Sequence, residues 1–239
     1  MTDSAPSQST IISLLEHSAY DPAIVPQLEA YAKSQVSSPQ TSPYNFDANR
    51  TLAKLYQFFP HLADEGGTTA LILLLALLEF PSTDFIALGC LVPEKVQSRE
   101  PCASLVRCAE LLENCQFSSF WSTFRQIGTH DTDPSSALLK SAAASPANAD
   151  KLRSSILTTL TLTYRTAPLS VVLSCLDLAD SSALNAFMDR VPEAKKVITS
   201  VAVDEVTFVA TGDNTKRSRV YKEEINFGSI ANLVAAARE

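Results

Sequence analysis

Glycine is scarce in this sequence, 6 of 239 residues, about a third of average usage. A turn-rich all-β fold is thereby disfavoured, and the long Leu/Ala stretches point to helices. Cysteine is odd in number and offers no CxxC pair. Cys102, Cys108 and Cys115 stand six and seven residues apart, and Cys90 and Cys175 stand alone. No zinc knuckle has that spacing, so free thiols in a reducing compartment are expected. The three histidines, His17, His61 and His130, form no HxxxH pair. A GxSxG elbow, a glycine-rich phosphate loop and a paired-carboxylate signature are also missing. No catalytic residue, metal ligand or cofactor site is therefore expected, and the chain reads as a non-enzyme. Long apolar runs are missing too: ALILLLALL, residues 70–78, has nine residues, where a membrane span needs about 20. It reads as a buried helix. The opening MTDSAPSQST is polar and acidic, unlike a secretory signal, so a soluble, cytoplasmic protein is expected.

Cations are in deficit: 19 Lys+Arg stand against 26 Asp+Glu, a net charge of −7. Residues 1–150 hold 8 of those cations and 16 of the acids. An acidic front half argues against broad nucleic-acid binding, which draws on clustered cations. A local basic patch is left to the near-neutral back half.

What is present is a globular composition, 46% hydrophobic and 19% charged, long enough for one large domain or two small ones. Residues 1–9 read as unstructured. Ser9 or Thr10 is placed to cap a helix to about Tyr20, and Ile24, Leu28, Tyr31 and Ala32 mark a second over 23–36. After the loop SSPQTSP, Asp47 is placed to cap a helix bearing Leu52, Leu55, Tyr56 and Phe59, which Pro60 stops. Further helices are expected at 68–79, 82–92, 98–114 and 116–127. Short loops between helices of this length make antiparallel pairs stacked in a row. Within LLENCQFSSFWSTF, residues Phe117, Phe120, Trp121 and Phe124 fall on one helix face. Stacking platforms for nucleic acid set aromatics among cations, and only Arg125 is near. The stripe is expected in the core of the array.

Residues 135–149 turn to Ser, Ala and Pro and read as a linker or weakly packed helix, dividing a helical domain (10–134) from a second domain (150–227). Residues 151–168 suit a helix or a strand. Helices at 169–179 and 181–191, separated by the capping residue Asp180, precede two β-rich runs, 203–210 and 219–227, around the turn signal GDN. That order is a winged helix, followed by a C-terminal helix, 228–239. DNA reading is disfavoured because the candidate recognition helix, SSALNAFMDR, offers Asn185 and Arg190 but also Asp189. The wing carries Lys216, Arg217, Arg219 and Lys222, either a solvated tip or a contact for RNA or an acidic protein. A two-stranded wing would expose an edge to a partner, lined by Val206, Phe208, Val220 and Tyr221. The last helix has Ile230, Leu233 and Val234 along one side, to pack on its own domain or to join a bundle with other chains.

The segment YNFDANRTLAKLYQFFP resembles the Y-x-x-[ED]-A-N-x-x-L-x-K-L-Y-Q-F-x-P stretch of the k-subunit family of eukaryotic translation initiation factor 3. LLENCQFSSFWSTF is similar to that family's L-L-E-x-C-x-F-x-x-F-W, FPSTDF to its P-x-T-D-F turn, and EEINFGSIANLV to its closing I-D-F-x-S-[IV] helix. The blocks keep their order along nearly the whole chain, and the first two are the specific ones. The resemblance implies a mainly α fold: stacked HEAT-like helical hairpins, then a small α+β winged helix, related to the PCI scaffold domains of the proteasome lid, COP9 signalosome and initiation factor 3. It favours a helix at 151–166. It also implies a non-enzymatic subunit that joins other initiation factor 3 subunits, subunit l foremost, within a complex that binds the small ribosomal subunit. The Ser/Ala-rich stretch 135–149 and the SSPQTSP loop depart from animal members, so a fungal-type member is the expectation. A sister scaffold of the proteasome lid or signalosome is the alternative reading, and a winged-helix nucleic-acid binder a third.

Overall fold

The computed structural model describes residues 6–63, 67–127, 134–215 and 227–237. Helices dominate, and a small antiparallel sheet lies in the C-terminal part, as the fold class anticipates. Helix α1 (Gln8–Ser18) begins inside the stretch read as unstructured. Ser7 caps it, accepting from the Thr10 N–H at 3.3 Å, in place of Ser9 or Thr10. Helix α2 (Val25–Ser37) buries Leu28, Tyr31 and Ala32, as their spacing requires. Asn45, not Asp47, caps α3 (Phe46–Phe58), accepting from the Ala48 N–H at 3.1 Å. Asp47 sits in the first helical turn, where it pairs with Arg50 and suits the positive end of the helix dipole. Between α2 and α3 the buried side chains of Gln35 and Asn49 bond at 2.9 Å, and Gln35 also accepts from the Asn45 N–H at 3.0 Å. That satisfied polar pair fixes the register of the two helices.

Helix α4 (Gly67–Leu77) is the ALILLLALL run, and every residue from Thr68 to Leu77 is buried. A helix apolar all round has to be covered all round. Helix α2 covers one side, and α5 (Asp84–Gly89) and α7 (Cys102–Glu113) cover others. The one-turn helix α6 (Glu94–Gln97) leads into α7, which packs on the aromatic helix α8 (Phe117–Phe124). The Ser/Ala-rich stretch is no bare linker. It forms α9 (Pro134–Ala143), which buries Leu139 and Ala142 and packs against α2 and α4. Leu138 and Ala143 pack beside them, partly buried.

Residues 151–163 are helical, within α10 (Pro146–Thr163), as the resemblance implies. The threonines follow helical rather than strand chemistry: Thr158, Thr159, Thr161 and Thr163 each return a hydroxyl bond to the carbonyl four residues back. Strand β1 (Thr166–Pro168) follows, then α11 (Leu169–Leu176), α12 (Ser181–Arg190) with Asp180 as its cap, and α13 (Pro192–Val197). The hairpin β2 (Ile198–Val201) and β3 (Glu205–Phe208) completes the winged helix. Among the described residues the partner of 205–208 is 198–201, turning at residues 202–204. Strand β3 lies in the middle, in the order β1-β3-β2, with Ala167 opposite Val206. Of the second β-rich run only Phe227 lies among the described residues, and it opens the last helix, α14 (Phe227–Ala236). One hydrophobic cluster runs unbroken from Ile11 to Phe208.

Candidate interaction surfaces

The aromatic stripe is where the helical array meets the winged helix. Phe117, Phe120, Trp121 and Phe124 are all buried, with ring centroids 5.1–6.1 Å apart in the Phe120, Trp121 and Phe124 trio. Trp121 also faces outward from the array. Its Nε1–H donates to the Cys175 carbonyl at 2.9 Å, at the end of α11. The guanidinium of Arg153, from α10, lies 5.3 Å over the Trp121 ring and donates through Nε to the Leu176 carbonyl at 2.8 Å. A helix leaves its last carbonyls without intrahelical partners. Here those of α11 are capped by an indole from the array and a guanidinium from the winged helix. Ser118 and Ser174 bond at 2.7 Å, Arg125 pairs with Asp177, and Lys151 reaches Glu79 at 2.5 Å. Asp177 adopts φ 53°, the left-handed stop that ends α11.

Asp150 anchors the same junction from behind. It accepts from Arg153 at 3.0 Å and from Arg190 at 2.9 Å and 3.2 Å. Burial alone would raise its carboxyl; the hydrogen bonds from Arg190 and Arg153, helped by their charges, outweigh that and hold it below the ordinary aspartate value. Arg190, the cation of the candidate recognition helix α12, is thus engaged within the chain. Apart from Arg153, three residues from Asp150, the partners are distant in sequence: Trp121 and Cys175 are 54 residues apart, Asp150 and Arg190 are 40 apart.

The residues expected along an open strand edge fare differently. Val206 and Phe208 are fully buried on the central strand, so their side chains belong to the core. The edge argument assumed a two-stranded wing; the three-residue β1 closes the far side of β3. Val220 and Tyr221 lie outside the described residues, as do the wing cations Lys216, Arg217, Arg219 and Lys222. On α14 the described side chains Ile230, Ala231, Ala235 and Ala236 are exposed, Ile230 by 43%; the side chains of Leu233 and Val234 are not among those described.

Among the described residues no group of three or more His, Cys, Asp or Glu is placed to hold a metal ion, and no single helix is long and apolar enough to cross a membrane. Burial pushes the Cys108 thiol up to about 12, which leaves it an inert core side chain. The Tyr44 hydroxyl, raised by burial and then by its 2.9 Å bond to Asp84, stays a neutral donor. The described surface carries the exposed Ile230 of α14 and shallow clefts.

Comparison with known proteins supplies the family. The chain is 27% identical to eukaryotic translation initiation factor 3 subunit K of Homo sapiens over 92% of this chain and 91% of that protein. It is 29% identical to the subunit K of Dictyostelium discoideum over 93% and 81%. The figures for the Anopheles gambiae protein are 27% over 90% and 88%. The profile of the CSN8/PSMD8/EIF3K family matches residues 65–191, from the buried α4 across the Trp121 junction to the end of α12, and the chain belongs to that family.

Proposed function

We propose that this chain is a k-type, non-catalytic scaffold subunit of eukaryotic translation initiation factor 3, acting in the cytoplasm. The observation that carries the reading is end-to-end similarity to proteins named as that subunit, spanning both the helical array and the winged helix. Its mechanism is surface complementarity. The junction locks array and winged helix into one body, so a partner bound at either end holds the other in place. Helix α14, which exposes Ile230, joins helices of sister subunits. Subunit l is the first partner to test. Within the assembled factor the chain supports binding to the small ribosomal subunit.

Co-expression with subunit l is expected to give a stable one-to-one complex. Ile230→Asp should break it without shifting the melting temperature of the free chain, since Ile230 is exposed. An intact complex would rule out α14 as the docking helix. The cation cluster from Lys216 to Lys222 is the candidate contact with ribosomal RNA or an acidic partner: reversing Lys216 and Arg217 to Glu should weaken ribosome association and increase its sensitivity to salt. Unchanged association would reject that role. A proteasome-lid or signalosome scaffold shares the architecture and is the second reading, since the family spans those assemblies by name.

A further inference from the structure

Helix α7 ends on a local mismatch. Its last turn carries Glu110 and Glu113 and no basic residue, although the carbonyl end of a helix carries partial negative charge and disfavours anions. The two carboxylates are three residues apart, both exposed, a like-charge pair that also weakens the helix. Among the described residues no ion pair within 4.0 Å relieves either of them. Beside them runs a shallow apolar groove of about 320 Å³ between α5 and α7, floored by Phe85, Ile86, Val106 and Ala109. It continues past Phe80 into a smaller pocket that shares Ile86 and Glu113. Ile86 is 51% exposed, a large side chain on the open floor of this groove. An apolar floor with two uncompensated carboxylates on one rim is complementary to an amphipathic helix that carries cations one turn apart.

We infer that the α5–α7 groove docks a basic amphipathic helix of a sister subunit, whose Lys or Arg side chains engage Glu110 and Glu113. The acids that weaken the free chain are compensated only on assembly, so local stability and binding are expected to move in opposite directions. This rests on the reading of the chain as a subunit of initiation factor 3, and the test separates the two. A photo-crosslinking phenylalanine analogue replaces Ile86 in the full chain, and the factor is purified through a different subunit and irradiated. The crosslinked peptide is then read by mass spectrometry.

The inference expects a crosslink to one helical segment of another subunit with two cations at i and i+3 or i+4. Glu110→Lys with Glu113→Lys should lower recovery of the chain with that subunit about tenfold, while raising the melting temperature of the free chain by about 1–3 °C. Reversing the two cations of the crosslinked segment should restore recovery. If the chain is present in the purified factor but Ile86 yields no crosslink, or crosslinks to RNA or to a segment without cations, the groove is not that docking site. Absence of the chain from the purified factor would overturn the subunit reading and this inference with it.

Discussion

Asp150 shows how much one residue can hold. Its carboxylate takes bonds from guanidiniums on two helices, and those helices belong to the motif that the array must carry. Its folded-state value is lowered, so the stability it contributes is fully present above the unfolded aspartate value of about 4. It is lost as pH falls through the lower folded value. Asp150→Asn removes the charge and keeps the shape. The variant should be less stable by about 1–3 kcal/mol at neutral pH, with the difference from wild type narrowing in acid. Urea melts at pH 7 and pH 3 measure both; a constant difference would mean that the carboxylate charge does not matter. Nothing near Asp150 in sequence signals this role except Arg153, three residues on. Arg190 enters only when the chain folds.

At the scale of elements, legibility follows how local the cause is. Helices α2, α3, α7 and α8 are readable because each stripe repeats along its own segment, α4 because its apolar run is unbroken, and Asp180 is readable as a cap because a cap acts on its own helix. Pairing of strands is not local. Residues 198–201, ITSV, sit behind a basic helical turn, and residues 166–168, TAP, are too short to show alternation. Both are strands because they pair with the backbone of β3 on either side. The stretch 135–149 reads as a linker or a weak helix for the complementary reason: its helix α9 is held by the apolar α4 and by α2 against which it packs.

One turn between elements permits a direct test. Cys115 is exposed, holds φ 56° and ends α7, while the Gln116 N–H returns to the Leu111 carbonyl at 2.8 Å. This left-handed stop aims α8 and its aromatic stripe. Glycine adopts that conformation most readily, and a β-branched side chain resists it. Cys115→Gly should stabilise the chain by about 0.5–1 kcal/mol after its own entropic penalty, and Cys115→Val should destabilise it by more. Thermal melts of the two variants check this; a stabilising valine would show that the turn relaxes out of the left-handed region.

For the whole molecule, fold and function are legible to different depths. Composition and periodicity are enough to point to a helical array with a winged helix, and to disfavour catalysis, membrane insertion and broad nucleic-acid binding. They cannot name an assembly. That step rests on YNFDANRTLAKLYQFFP and LLENCQFSSFWSTF, whose residues turn out to make the α3 stripe and the Trp121 junction. The motifs that identify the family are thus among those that build its core, which is why they say so little about surfaces. The groove at Glu110 and Glu113, and the exposure of Ile230 on α14, had to be read from the folded chain. Docking depends on which side chains remain outside once the core has closed.

The central claim, that this body is a scaffold subunit of initiation factor 3, is tested most directly by a tagged pull-down from native cell extract read by mass spectrometry. Recovery of initiation factor 3 subunits together with small-subunit ribosomal proteins is the predicted result. Recovery of proteasome-lid or signalosome subunits in their place would leave the fold intact and contradict the function.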